Sequence, residues 1–442
     1  MTTDDAPATS TTPASPAATG NGAEHDLDAA VAFQRDLYLY WWAARDLGEL
    51  TLTSRGMLTR ATLRRLRAQW PVSDDDRAEV DDPRRYFLRR LLERLGLLRA
   101  PTETNMPIGA QGRAEARLVA ADAAMMARFL AHPLAERLRI CVRLWVAGGW
   151  WPESRDGKPG DASQSLHIPA SPRVALARRR LIETLASLEP GSPIEAPAAD
   201  ALAAYGPRII GATAKPPRTA RQRKPRDIAE ERNQVMRAAL TGPLRWMGLV
   251  IRREEDTTGL GRLLVSRAAL ALRNEPDDAA IPEKSGRVII QPNLDALAYP
   301  PLTAPTLFTL DSCATRGALE RVAHYRLTRS DVTRAQQQGV SEDELAWRLE
   351  ALTGEPLPGA VRVRLGDWAR AASRIRLTAR ATLLSTATPA TLDALLADRA
   401  AREWIARRLG PTLALIPTEE IEAVRRWLLA HGELPAIEQP LT

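Results

Sequence analysis

Arginines are the residues of this chain whose spacing could do chemistry. Over RATLRRLRAQW, Arg60, Arg64 and Arg67 fall at i, i+4 and i+7, one face of a helix, while Leu63, Leu66 and Trp70 fall on another. Guanidiniums in line can follow a phosphate backbone or enter a major groove. The same stripe can also be a solvated outer face, and the spacing leaves both readings open. Residues 208–226, RIIGATAKPPRTARQRKPR, hold seven basic residues, three prolines and no acid. That composition argues for an exposed linker without stable secondary structure. Neutralising phosphates releases counterions and needs no fixed geometry. Arg218, Arg221, Arg223, Lys224 and Arg226 are therefore candidate nucleic-acid contacts, with a plain soluble tether as the other reading. The consecutive Arg178, Arg179 and Arg180 fan around a helix and cannot all face one partner.

Other chemistries find no seat. No GxxxxGK[ST] is present to cradle a nucleotide, and GLGRLL (259–264) opens no helix after a strand. The histidines at 25, 132, 167, 324 and 431 are scattered singly, none in HExxH or at zinc spacing with cysteine. GxSxG and cysteine-centred nucleophile motifs are missing, and Asp74, Asp75 and Asp76 sit in a polar loop where solvation explains them. The expectation is a protein without catalytic residues, metal or cofactor.

Composition sets the frame. The 442 residues suffice for two to four domains at roughly 100–200 residues each, with 45% hydrophobic but only 5% aromatic residues. The formal charge of +7 is carried almost wholly by arginine, a mild bias at this length, so local clusters must carry any argument for a polyanionic partner. An Arg-, Ala- and Leu-rich composition also reflects GC-rich coding. Cys141 and Cys313 are far apart and outside any CxxC, which fits a reducing cytoplasm. The opening MTTDDAPATSTTPASPAATGNG has no apolar core and reads as a disordered tail over 1–28; no run is long enough for a membrane span.

The elements that must position the arginines follow from periodicity and caps. Helices are expected at 29–47, from Thr59 to about Trp70, and over RYFLRRLLERLGLL, closed by Gly96. Two short strands, 96–100 and 116–120, come next; helix, helix, helix, hairpin is a winged-helix order, placing one such domain at 29–150. A helix at 133–148 precedes a second winged-helix-like domain at 172–275, which opens with a helix at 172–188 and is interrupted by the basic linker. It comprises a helix at 227–240, strands at 248–255 and RLLVS around the tip DTTGLG, and a short helix capped by Ser266. From 286 an α+β region begins, with a strand at Arg287–Ile290, a hairpin at 374–386, a helix at Pro389–Ala397, a strand at 412–417 and a capped closing helix. Within LTRSDVTRAQQQGVSEDELAWRLEAL, Thr328 with Asp331 and Ser341 with Glu344 spell capping boxes for two helices across Gly339. The second carries Glu342, Asp343, Glu344 and Glu350 against Arg348, and Leu345, Leu349 and Leu352 form an inward stripe. That pair reads as packing and not as a DNA-reading head.

The series GRVIIQPNLDALAYPP, Tyr325–Thr328, Ser330–Ala335, Gly339–Glu344, Pro356–Pro358, Asp367–Trp368 and LGPTLALIPTEEIEAV resembles the N-terminal domain of XPB-type DNA helicases, as found in bacterial helicase-associated proteins. The resemblance covers about 286–435; SLEPGS (187–192) and TGPLRWMGLV (241–250) look like the winged-helix region preceding it. It implies a mostly α chain with an α+β C-terminal part, in which winged-helix-like domains are followed by an XPB N-terminal-like domain. Helicase and ATPase activity do not carry over, since the motor is missing. What it implies is a non-catalytic, helicase-associated DNA-binding accessory, with DNA and a separate helicase or ATPase subunit as partners. A protein-only scaffold or transcriptional regulator using winged helices for docking is the alternative.

Overall fold

The computed structural model describes residues 21–53, 56–69, 82–100, 117–151, 170, 172–203, 225–253, 262–273, 281–372, 381–417 and 420–431. Helix α1 (Asn21–Leu47) begins inside the tail expected over 1–28. It is buried almost all round: Phe33, Leu37, Tyr38, Tyr40 and Trp41 are each 1% exposed or less. A helix with so much apolar surface to bury extends outward at little further cost once its core turns are fixed.

After α1 come β1 (Leu50–Thr51), α2 (Arg60–Gln69), α3 (Pro83–Arg94), β2 (Leu98–Arg99) and β3 (Arg117–Ala120). The three strands form an antiparallel sheet in the order β1-β3-β2, Leu50 opposite Leu118 and Leu98 opposite Ala120. Asp82 caps α3 by accepting from the Arg85 amide at 3.0 Å, Pro83 supplies the fixed φ of a first helical residue, and Gly96 leaves with φ +72°.

Helices α4 (Ala123–Leu130), α5 (Leu134–Ala147), α6 (Pro172–Ser187), α7 (Glu195–Ala203), α8 (Pro225–Thr241) and α9 (Pro243–Trp246) precede the hairpin of β4 (Val250–Arg253) and β5 (Arg262–Val265). Ser266 caps as expected, accepting from the Ala268 amide at 3.1 Å, but the turn it opens, Arg267–Leu272, is 3-10. The linker expected over 208–226 is helical at its end, since α8 starts at Pro225.

The region from 286 opens with β6 (Val288–Ile290) and β7 (Asp295–Ala298), then α10 (Ala304–Cys313), β8 (Thr315–Leu319) and β9 (Ala323–Arg326). These strands form an antiparallel sheet in the order β6-β7-β9-β8. Alternation is clean: Val288, Ile290, Ala296, Ala298, Ala323 and Tyr325 are buried, while His324 and Arg326 face out. Helices α11 (Arg329–Gln337), α12 (Glu342–Thr353) and α13 (Gly359–Ala372) follow.

The chain divides into two compact units, Met1–Trp368 and Ala369–Thr442. The boundary falls within α13. In the first unit α1 packs against α2, α3, β3, α9, the 3-10 turn and α10. At Gly248 (φ +75°) a Cβ would lie 2.3 Å from the Ala30 amide nitrogen, so only glycine lets the chain entering β4 approach α1 this closely.

The second unit holds β10 (Ala381–Ser385), α14 (Pro389–Ala397), α15 (Arg399–Trp404), β11 (Arg407–Arg408), β12 (Leu413–Pro417) and α16 (Ile421–Ala430). Leu395, Ala401, Ile416, Val424 and Leu428 are its core. Of the hairpin expected over 374–386, residues 374–380 lie outside the described residues; β10 pairs antiparallel with β12, Leu383 opposite Leu415. At the start of the closing helix Glu420 makes no side-chain cap bond, and residues 418–419 before it lie outside the described residues.

Candidate nucleic-acid interface

Helix α2 owes its start to Thr59, whose Oγ1 accepts from the Thr62 amide at 3.2 Å. Leu63 and Leu66 are buried at 3% and 0%, which fixes the helix's rotation. Arg60 and Arg64 are exposed, as is Arg65, whose guanidinium donates to the Leu47 carbonyl at 3.4 Å. Arg67 is half-buried, so the expected line of three is an open pair with a third at its flank. No acid occurs anywhere in α2, RATLRRLRAQ.

The other candidate contacts are placed differently. Arg218, Arg221, Arg223 and Lys224 lie outside the described residues. Arg226 belongs to the first turn of α8. The run at 178–180 splits three ways, as a helix requires. Arg178 is buried over the Trp145 ring and donates to the carbonyls of Trp145, Gly148 and Trp151 at 2.5, 2.7 and 2.7 Å. It thereby ties the end of α5 to the Gly148–Trp151 segment that follows it. Arg179 is exposed, and Arg180 pairs with Glu183 at 2.8 Å. Arg178 is accordingly no partner contact.

One basic group escaped the sequence reading. On the β4–β5 hairpin Arg253 sits opposite Arg262, with Arg252 beside them and all three exposed. Like charges directly across a ladder repel. The arginines flanking the tip in IRREEDTTGLGRLL were the available signal; the tip itself, 254–261, lies outside the described residues.

The stretch 327–352 folds as its caps dictate. Asp331 is fully buried and accepts from the Thr328 amide (3.0 Å) and hydroxyl (2.6 Å), from Thr315 Oγ1 (3.0 Å) and from Arg334 (2.6 Å). Ser341 accepts from the Glu344 amide at 3.2 Å. Leu345 and Leu349 are buried, Asp343 and Glu344 are exposed, and α12 turns this acidic face outward with Trp347 at 66% exposure.

A second buried polar group joins α1 to α10. Tyr38 Oη donates to Asp311 at 2.5 Å, Arg316 Nε donates to Asp311 at 2.9 Å and to Tyr325 Oη at 3.2 Å, and the guanidinium lies 3.8 Å from the Trp42 ring centroid. Burial raises the Asp311 carboxyl above the usual aspartate range, with Arg316 opposing, and lifts both tyrosine hydroxyls. Burial likewise pushes the Cys141 thiol up to about 12, which makes it inert as a nucleophile. Among the described residues no three or more His, Cys, Asp or Glu side chains are placed to hold a metal, and no helix is long and apolar enough to cross a membrane.

Among curated proteins none matches this chain. Residues 288–410 match the family described as helicase conserved C-terminal domain, a stretch that starts at β6 and ends after β11. This match makes the chain similar to helicase-associated proteins.

Proposed function

We propose that this chain is a non-catalytic accessory of a separate helicase or ATPase, and that it holds DNA through Arg60 and Arg64 with help from the basic segment 208–226. The observation that carries this reading is the acid-free, exposed arginine face of α2. Its setting supports it: the order α1-β1-α2-α3-β2-β3, with sheet order β1-β3-β2, is that of a winged helix, in which a helix stands clear of a small sheet. The β4–β5 hairpin with Arg252, Arg253 and Arg262 is the corresponding wing of the second winged-helix-like region. In this reading the part from 286 is an XPB N-terminal-like domain. Its acidic α12, which phosphate would repel, is turned toward protein.

The test is fluorescence anisotropy of the full chain with duplex, forked and single-stranded DNA over a salt series. Binding should weaken linearly in log–log form, and Arg60→Glu/Arg64→Glu should flatten the duplex slope by about 1.8, since each phosphate contact contributes about 0.9. Failure of all three DNAs to bind at low salt, or binding without a salt slope, refutes the proposal. A chain that binds no DNA yet retains a helicase partner is a protein-only scaffold.

A further inference from the structure

A groove of about 710 Å³ lies between α5, α6 and the 3-10 turn at Arg267–Leu272. Its floor is aliphatic, supplied by Val142 and Val146 from α5, Ile182 and Ala186 from α6, and Leu272. Each of its three walls also brings one guanidinium to the rim, Arg143, Arg179 and Arg273.

We propose that this groove takes an acidic amphipathic helix of a partner protein, its aliphatic stripe on the floor and its carboxylates on Arg143, Arg179 and Arg273. The assignment stands independently of the DNA reading.

Shape argues first. Arg179, Ile182, Glu183 and Ala186 follow one another at i, i+3, i+4 and i+7, and Val142 and Val146 at i and i+4. The trough therefore runs along two turns of α6, roughly 10 Å at 1.5 Å per residue, and a little over one turn of α5. A helix laid in such a trough presents its own i, i+4, i+7 stripe. Charge selects the partner's sign. The lining acid, Glu183, is bound to Arg180 at 2.8 Å, and the basic rim residues outnumber it. Arg143 and Arg273 do hold Glu136 and Glu189, each at 2.8 Å, but these are surface pairs with Arg143 68% and Glu189 77% exposed. Exposed pairs of this kind are weak in water, so an incoming carboxylate can replace them. Floor chemistry argues against nucleic acid: no lining residue is aromatic, and a base has nothing there on which to stack.

The experiment uses a phage library of helical peptides, randomised in aliphatic and charged positions, selected against the full chain. Enriched clones should carry aliphatic residues at i, i+4 and i+7 flanked by Asp or Glu. Their affinity should fall about tenfold or more on Arg179→Glu and on Ala186→Arg. Both variants should keep the parent's thermal unfolding; Arg179 is exposed, so its substitution leaves the fold a fair control. No enrichment, enrichment of basic or charge-indifferent helices, or clones that bind both variants like the parent would overturn the proposal. Loss of duplex-DNA affinity in Arg179→Glu with no helix enriched assigns the groove to nucleic acid and overturns it too.

Discussion

Helices α2 and α3 are neighbours in sequence, both rich in arginine, and they use it in opposite ways. In α2, Arg60 and Arg64 stand four apart and face water. In α3, Arg85 and Arg89 stand four apart as well, yet they are 5% and 0% exposed, and Arg90 beside them is 5%. The difference lies in the acids. Arg85 reaches Asp82 at 3.2 Å, and Arg89 and Arg90 share Glu93 at 2.5 and 3.0 Å. A guanidinium enters a core only with its charge answered. Arginine spacing by itself therefore does not separate a phosphate-facing stripe from an internal strut. Between these two helices the acid three or four residues away does.

The largest effect should come from breaking that answer. Glu93→Ala leaves two buried guanidiniums without their shared acceptor and should destabilise the fold by about 3–5 kcal/mol in urea unfolding. A cost under about 1 kcal/mol would place α3 with the solvated arginines and dissolve the contrast. Next in size, Arg178→Met keeps the apolar bulk but takes the guanidinium donors from the buried Gly148 and Trp151 carbonyls at about 1–3 kcal/mol each, while the Trp145 carbonyl keeps the Gly148 amide, so a loss of at least about 2 kcal/mol is expected. Here the acceptors are main-chain, which sharpens the rule: a buried arginine needs oxygens, not necessarily a carboxylate.

A smaller effect concerns pH. Burial holds the Asp311 carboxyl above its ordinary value, so the native state keeps a proton that the unfolded chain releases. Its contribution is full below about pH 3.9 and is lost as pH rises through the higher native value. Asp311→Asn should remove that downward slope from the stability profile above about pH 4, besides losing the Arg316 pair; an unchanged slope would show the carboxyl is ordinary. Smallest of all, Arg60→Glu/Arg64→Glu should leave the unfolding midpoint within about 0.5 kcal/mol of the parent, the expectation for surface positions. A large loss there would make α2 a second α3.

Local features were legible in the sequence where the signal is local. The caps at Thr59, Ser266, Thr328 and Ser341 and the helix at Pro389–Ala397 read correctly because a side chain within three residues fixes each. Helix α10 was passed over, since Leu307 and Leu310 are buried amid a segment with almost no polar face to give it a period. The partner of β10 is β12, and β1 pairs with β3 across the whole of α2 and α3, pairings that no turn announces. The arginine face of α2 could be seen but not distinguished from a strut until Leu63 and Leu66 fixed its rotation. Arg178 looked like its neighbours because carbonyl acceptors leave no mark in the residue code.

The bond from Tyr38 to Asp311 spans 273 residues. At about 5–20 residues per second of synthesis, Tyr38 leaves the ribosome roughly 14–55 s before its acceptor exists. For that interval the longest described helix has no complete berth. Helix α10 is made long after α1 and closes over it, so a ribosome stalled between α9 and α10 would present α1, with its tryptophans, to whatever chaperone or aggregate is nearest.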